Sequence, residues 1–210
     1  MKRGKVLKLD FNFRSKKNKV LLSEDGIIEK HMNSSKAATI EANKLELLFN
    51  AKVRVPKVIS NENNILKLEY IRGTTITDYI EDMELNTPDQ KLLDYLSNNI
   101  VSWLIDFYNA VNHDKTGEIR GDVNFRNFIF DGTHCWGVDF EELVFGTKEQ
   151  DIGRMLAFIL SYHPPNTYIK NLLVEKLQNR AISELSINQS KILEWRDNEL
   201  EAINIRRKNM

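Results

Sequence analysis

The stretch that most constrains the fold is RGDVNFRNFIFDGTHCWGVDFEE, residues 120–142. Two short apolar runs, FIF and CWGV, flank the dipeptide Asp131-Gly132, and glycine accepts the positive φ angle that a tight turn requires. The pattern predicts a β-hairpin. Asn127 enters the first strand and Asp139 leaves the second, so antiparallel pairing is expected to bring both residues to one edge of the hairpin.

An amide oxygen and a carboxylate at one edge are suitable ligands for magnesium, which keeps several waters and takes few ligands from protein. Asn127 and Asp139 are therefore candidate magnesium ligands. Asp122 precedes Asn127 by five residues, and beside such a metal it could orient a hydroxyl nucleophile and accept its proton. The alternative is that these polar residues merely separate two strands.

The N-terminal third of the chain predicts a small sheet. Residues 7–13 alternate apolar with polar side chains, which is typical of a half-buried strand. Residues 19–32 place two β-rich runs around Asp25-Gly26, and residues 57–71 place two more around the sequence NENN. Both segments predict hairpins.

One helix interrupts these strands. Ser34 or Ser35 can cap it, and its apolar residues recur at helical spacing on one face. That face contains Ala38, Leu45 and Leu48. Glu41 lies four residues before Leu45, so it projects from the buried stripe.

A carboxylate on a buried face needs a cation. Lys30, in the strand eleven residues earlier, is the nearest inward-facing candidate, and Lys36 or Lys44 would serve if the phase of the helix differs. The pairing predicts either a structural ion pair or part of a functional site.

After Gly73 the periodicity becomes helical, at residues 75–82, at 89–111 and from Asp151 onward. We therefore predict an α+β protein of two lobes. Residues 1–70 would form a small lobe, an antiparallel sheet with one helix, and residues 71–210 a mainly helical lobe.

Charge and composition limit the classes of partner. The 30 Lys and Arg residues balance 30 Asp and Glu residues, so we expect neither direct nucleic-acid binding nor membrane association. The single Cys135 excludes an internal disulfide and fits a reducing compartment. The N-terminus lacks the continuous apolar stretch of a signal peptide, and the longest apolar runs are too short to span a bilayer. We expect a cytoplasmic protein.

Five segments resemble motifs of the protein-kinase-like superfamily, and within it of the aminoglycoside and choline phosphotransferases. Their order along the chain also matches the order in that superfamily. RGDVNFRNFIF resembles the catalytic loop His-Gly-Asp-x-x-x-x-Asn, and GVDFEE the second metal-binding segment. EANKLELLFNAKVRVPKVI is similar to the helix that supplies a glutamate to the lysine, LKLEYIRGTTITDYI to the segment that joins the lobes, and DIGRMLAFIL to the helix whose first Asp braces the catalytic loop.

The resemblance implies an ATP- and magnesium-dependent phosphotransferase. Lys30 would hold the α- and β-phosphates of ATP, and Glu41 would lock its side chain. Asp122 would be the catalytic base. Asn127 and Asp139 would coordinate magnesium.

Two further segments take roles from the same resemblance. The backbone of Glu69, Tyr70 and Ile71 would meet the adenine edge. Asp151 would brace the catalytic loop, although an ordinary helix N-cap is an equal alternative for this residue.

The sequence departs from the family pattern at two places. Arg120 stands where the family usually has His, which predicts altered packing around the loop and a retained base, because arginine offers more donors. No glycine occurs between Gly4 and Gly26, so there is no glycine-rich loop over the phosphates. Residues 14–19, RSKKNK, occupy that place and would contact phosphate through charge, or else form an exposed basic turn.

The acceptor is the least constrained element. We expect a small-molecule hydroxyl, and an acidic run with Glu81, Asp82, Glu84 and Asp89 could attract a cationic substrate or could simply be a solvated helix end. The alternative is a compact atypical protein kinase or ATPase that acts with a protein partner, similar to the small kinase of the KEOPS assembly. The segments SYHP and the basic INIRRKNM resemble features of that kinase. A pseudokinase binding module is less favoured because lysine, glutamate, base and metal ligands are all present.

Overall fold

The computed structural model describes residues 18–23, 25–85, 90–111, 117–141 and 143–209. The strand predicted at residues 7–13 lies outside them, as do residues 14–17 of the basic segment. The chain divides into two compact units. The first contains the described residues up to Arg72 and also Asp139–Glu141; the second contains the others.

The first unit contains a four-stranded antiparallel sheet of order β1-β2-β4-β3. Its strands are β1 (Lys19–Leu22), β2 (Ile27–His31), β3 (Val58–Glu62) and β4 (Ile65–Glu69). Both predicted hairpins are present. Gly26 has a φ of 72° in the first turn, and Asn63 has a φ of 58° in the second, a conformation that glycine and asparagine adopt more readily than other residues.

Helix α1 (Ser35–Asn50) begins where Ser34 caps it, since the Ser34 hydroxyl accepts a hydrogen bond from the backbone N–H of Ala37. The helix packs on β3 and β4 with the apolar face that its periodicity predicts. The buried residues of that face are Ala38, Ala42, Leu45 and Leu48, together with Glu41.

The second unit is built mainly from five helices among its described residues. They are α2 (Ile76–Leu85), α3 (Gln90–Ala110), α4 (Lys148–Ser161), α5 (Tyr168–Leu185) and α6 (Gln189–Lys208). Trp103 and Phe107 of α3 stack with ring centroids 5.5 Å apart, and Phe128 meets the Trp103 ring edge-on at 5.1 Å. No helix in the described part of the chain is long and apolar enough to cross a membrane.

Short strands complete the second unit. They are β5 (Thr74–Thr75), β6 (Gly117–Ile119), β7 (Phe128–Phe130), β8 (Cys135–Gly137) and β9 (Val144–Gly146). The hairpin predicted around Asp131-Gly132 is the β7–β8 pair, in which Phe128 faces Gly137. Strand β5 pairs with β7, and β6 pairs with β9. The sequence pattern predicted β7 but not β5, β6 or β9. The α+β class is confirmed.

Helix α4 approaches α6 closely at Gly153, where a Cβ atom would lie 2.5 Å from Trp195 Cβ and 2.7 Å from the Ile192 carbonyl oxygen. We predict that Gly153→Ala lowers the free energy of unfolding by about 1–3 kcal/mol because the two helices must separate. The higher helix propensity of alanine, about 1 kcal/mol, acts in the opposite direction.

Urea denaturation measures this effect, and Asn204→Ala, at an exposed position inside α6, is the matched control. The control should be neutral or slightly stabilising, since it changes helix propensity alone. A Gly153→Ala protein as stable as the control would contradict the close approach.

Candidate active site

Three carboxylates of the first unit surround one buried ammonium group. Lys30 Nζ lies 2.8 Å from Glu41 Oε2, 2.6 Å from Asp139 Oδ1 and 3.2 Å from Glu141 Oε1. The register of β2 places Lys30 opposite Leu66 of β4, and only 5% of the residue is exposed. The cation that the buried Glu41 requires is therefore Lys30, the inward-facing candidate that the sequence predicted.

Glu41 is fully buried and uses both oxygens. One accepts from Lys30, and the other accepts from the backbone N–H of Phe140 at 3.2 Å. The carboxylate thus joins strand β2 to the segment Asp139–Glu141, although these parts of the chain are about a hundred residues apart. This link explains why that short segment belongs to the first unit.

The protonation of this cluster follows from burial and from charge. Burial disfavours the ammonium form, but Glu41 and Asp139 outweigh that effect and raise the pKa of Lys30 above its ordinary value of 10.5. Burial raises the pKa of Glu41, and the nearby Lys30 ammonium opposes the rise. Lys30 is therefore a fixed positive charge at neutral pH.

Asp139 adopts a left-handed backbone conformation, with a φ of 66°. Such a conformation costs free energy for a residue other than glycine, and it persists where surrounding contacts enforce it, often at functional sites. Here the ion pair with Lys30 holds the side chain, which is 39% exposed.

Glu141 is a member of the cluster that the sequence did not single out. It contacts Lys30, and its carboxylate accepts a hydrogen bond from the side chain of Asn18. Its position two residues after Asp139 in GVDFEE was the available signal. Asn18 is the described residue of the basic segment 14–19 that enters this site.

The cluster fits a divalent cation. Oxygen atoms of Glu41, Asp139 and Glu141 lie within 4.8 Å of one another, with a single ammonium group between them, which leaves an excess of negative charge. All of these donors are carboxylate oxygens, the type that magnesium prefers. Asp139, the predicted ligand, is the most exposed of the three.

The other predicted ligand, Asn127, belongs to the second unit. It ends the 3-10 turn Phe125–Asn127 and is half-buried. The backbone carbonyl oxygen of Asn127 accepts a hydrogen bond from the backbone N–H of Val138 at 2.9 Å. This hydrogen bond fixes the backbone of Val138 within the second unit.

Asp122, the predicted base, lies on an exposed turn of the second unit. Its Oδ1 accepts from the backbone N–H of Asn124 at 3.2 Å. Gly121, with a φ of 73°, makes the turn possible, and a Cβ at that residue would also lie 2.8 Å from Val144 Cγ2. Only glycine fits at position 121 without strain.

Asp151 holds this turn through hydrogen bonds to its backbone. Its carboxylate is fully buried and accepts from the backbone N–H groups of Arg120 and Gly121, both at 2.9 Å, and from the Tyr108 hydroxyl at 3.1 Å. The N-cap of α4 is Thr147, so the N-cap interpretation of Asp151 was wrong. Burial raises the pKa of Asp151 to about 6, against the effect of these hydrogen bonds.

Arg120 is only 2% exposed. Its guanidinium carbon lies 5.7 Å from the centre of the Trp103 ring and 5.1 Å from that of Phe128, within cation–π range. One of its nitrogens donates to the Val138 carbonyl. Arginine at this position therefore packs in the aromatic core and ties the turn to the residue before Asp139.

A model of the RIO domain family matches residues 1–156, well over half of the chain. The chain belongs to the RIO domain family. Members of this family are kinase-like phosphotransferases, which confirms the resemblance to the protein-kinase-like superfamily. A comparison with curated proteins finds no match.

Solved structures similar to this RIO domain are also kinase-like. One is the ternary complex of an aminoglycoside phosphotransferase, APH(2")-IIa, with streptomycin and ATP, at a TM-score of 0.63 and 12% identity over 95% of this chain and 83% of the other. Another is WaaP in complex with acyl carrier protein, at 0.59 and 14% over 95% and 88%. A third is ADP-bound APH(2'')-Ib, at 0.57 and 13% over 95% and 93%. At these identities the likeness shows the fold alone.

The segment predicted to meet adenine lies at the end of β4. The backbone N–H of Glu69 donates to the Lys57 carbonyl at 2.9 Å, so this particular group already has an acceptor. Tyr70 is half-buried and Ile71 is buried.

The acidic run of the RIO domain contains exposed residues and one residue in a described ion pair. Glu81 and Asp82 are exposed on α2, whereas Glu84 forms an ion pair with the fully buried Lys170 at 2.7 Å. Asp89 lies outside the described residues. Glu84 therefore has a structural partner in Lys170.

The raised pKa of Asp151 makes a pH-dependent contribution to stability. An acid with a higher pKa in the folded than in the unfolded state binds its proton more tightly when folded, so it favours folding at low pH. The window lies between the ordinary value of 3.8 and the folded value of about 6. We predict that, relative to Asp151→Asn, the native protein loses up to about 3 kcal/mol of stability as pH rises from 4 to 7.

Urea denaturation of both proteins across this pH range measures the difference between their free energies of unfolding. The contributions of all other titrating groups are the same in both proteins and drop out of this difference. The absolute stability of Asp151→Asn will be lower, because an amide nitrogen cannot accept from the backbone N–H that the carboxylate served. A difference that is flat with pH would show that Asp151 does not titrate in this window.

Proposed function

We propose that this RIO domain transfers the γ-phosphoryl group of magnesium-ATP to a hydroxyl group of a small molecule. The observation that carries the proposal is Lys30, a buried and permanently charged ammonium held by Glu41 on one side and by Asp139 on the other. A structural ion pair would need only one carboxylate. Additional carboxylates around the same ammonium supply the charges that a metal–nucleotide complex would engage.

Lys30 and Glu41 would act on the nucleotide. Glu41 fixes the ammonium position through a 2.8 Å ion pair, and Lys30 would then meet the α- and β-phosphates with little loss of side-chain freedom. Phosphoryl transfer depends on positioning and on neutralising charge more than on covalent chemistry, so a fixed cation is a substantial contribution. The backbone of Glu69 to Ile71 would meet the adenine.

Asn127 and Asp139 would hold the magnesium ion. When bound, the ion would neutralise charge on the phosphate oxygens. The exposure of Asp139 and its oxygen donors support this assignment. Glu141 would serve Lys30 as a further acceptor beside the site.

Asp122 would accept the proton of the attacking hydroxyl. Because Asp122 is exposed, the hydroxyl group of a substrate could reach its carboxylate. The hydrogen bond from the backbone N–H of Asn124 holds one of the carboxylate oxygens. The buried Asp151 beneath the turn supports the same role, because a base must be held in position to be effective.

A small and cationic acceptor is supported by two observations. The similar APH(2")-IIa structure was solved with streptomycin and ATP. The exposed Glu81 of α2 offers negative charge that an amine could meet.

A second candidate is an atypical protein kinase or ATPase that acts within a complex. The match to the RIO domain family, which is one of atypical kinases, favours it. Both candidates use the nucleotide in the same way and differ in the acceptor.

Nucleotide binding is the first test. We predict that saturating magnesium-ATP raises the melting temperature, because a ligand that binds only the folded state stabilises it. Asp139→Asn should abolish the shift, and Asp197→Asn, on the exposed surface of α6, should preserve it. No shift in the native protein would favour a binding module without nucleotide.

Turnover is the second test. We predict that Asp122→Ala lowers ATP turnover by about a thousandfold, or roughly 4 kcal/mol of transition-state stabilisation. Turnover that survives the change nearly intact would remove Asp122 from the role of base. A screen of ATP consumption against aminoglycosides, choline-like amines, sugars and nucleosides distinguishes the acceptors; silence together with strong autophosphorylation would favour the second candidate.

A further inference from the structure

Helix α4 holds the loop that carries Asp122 at both of its ends. At the first turns of the helix, Asp151 accepts from the backbone N–H groups of Arg120 and Gly121. Just beyond the last helical residue, the Tyr162 hydroxyl contacts the other end of the loop, at Asn124 and Phe125. Asp122 lies between these two attachments.

The Tyr162 hydroxyl makes two hydrogen bonds in opposite senses. It accepts from the backbone N–H of Phe125 at 2.9 Å and donates to Asn124 Oδ1 at 3.0 Å. Tyr162 is 9% exposed, and burial raises the pKa of its hydroxyl to about 12, against the effect of the Phe125 hydrogen bond. The hydroxyl therefore keeps the proton that it donates to Asn124.

Asn124 passes this constraint to the base. Its Oδ1 also accepts from the backbone N–H of Arg126 at 3.0 Å, so the side chain is held from two directions. Its own backbone N–H donates to Asp122 Oδ1 at 3.2 Å. Two hydrogen bonds, one to the side chain of Asn124 and one from its backbone N–H, thus connect Tyr162 to the Asp122 carboxylate through residue 124.

We propose that Tyr162 is a positioning residue for phosphoryl transfer, whose hydroxyl fixes Asn124 and thereby the direction of the Asp122 carboxylate. This inference rests on the proposed function, in which Asp122 accepts the proton of the acceptor hydroxyl. A proton acceptor is effective only within hydrogen-bond reach of its donor, so a loop held at one end alone would present the carboxylate in the wrong direction for part of the time.

The direct test is Tyr162→Phe, which removes one oxygen atom and keeps the buried ring. We expect kcat for magnesium-ATP turnover, with water or an identified acceptor, to fall about 10- to 100-fold. KM for ATP should stay within about twofold, since the groups proposed to bind the nucleotide do not contact Tyr162. Tyr95→Phe is the matched control, because it removes a hydroxyl that donates to the Thr133 carbonyl in the β7–β8 hairpin.

A double-mutant cycle separates positioning from a general loss of structure. If Tyr162 acts through Asp122, then Tyr162→Phe has no further effect on turnover in an Asp122→Ala background. A further fall of the same size in that background would overturn the inference, as would an unchanged kcat in the single variant.

A second variant covers a failure of Tyr162→Phe to fold. Asn124→Ala, at a half-buried position, keeps the hydrogen bond from the Phe125 N–H to Tyr162 and the backbone N–H that donates to Asp122. It removes the amide oxygen through which Tyr162 and the Arg126 N–H hold residue 124. A fall in kcat with KM preserved supports the inference, and an unchanged kcat overturns it. Native protein without any ATP turnover would overturn the proposed function and this inference together, whereas active native protein with unaffected variants overturns this inference alone.

Discussion

A buried carboxylate must find donors inside the protein, and Asp151 finds them in the backbone of the loop that precedes the proposed base. Its two oxygens accept from Arg120 and Gly121, which fixes the left-handed turn at Gly121 and directs Asp122 outward. Removing a carboxylate from water costs several kcal/mol unless such bonds replace the lost solvation. The folded state therefore depends on this loop conformation, and the loop in turn depends on helix α4.

The first unit uses a buried charge in the same way. The Lys30 ammonium is buried, and carboxylates replace the water that would otherwise solvate it. The second oxygen of Glu41 accepts a hydrogen bond from the backbone N–H of Phe140. Each unit thus contains a desolvated charged group whose partners come from that same unit. The same desolvation that makes these groups costly also strengthens the hydrogen bonds that they make.

The extent to which the sequence predicted this arrangement depended on how local each signal was. The α1 stripe placed Glu41 inward because helical periodicity is set within a few residues, and Asp131-Gly132 marked the hairpin because a tight turn needs a residue that tolerates positive φ. Strands of two or three residues such as β6 and β9 have no such period and form only because their partners are nearby. The contacts of Tyr162 are tertiary, so no local spacing could reveal them, and for Glu141 its place two residues after Asp139 was the one local signal.

Arg120 stands where the kinase-like pattern usually has histidine, and the two side chains respond differently to pH. The sequence predicted altered packing around the loop, and in the structure the guanidinium lies against the aromatic faces of Trp103 and Phe128 inside the protein. A histidine at this position would gain or lose a proton between pH 5 and 8 and alter its hydrogen bonds accordingly. A guanidinium keeps all of its protons over that range. The link from this loop to the Val138 carbonyl is therefore insensitive to acidification, and the turn that presents Asp122 keeps this donor in both neutral and mildly acidic surroundings.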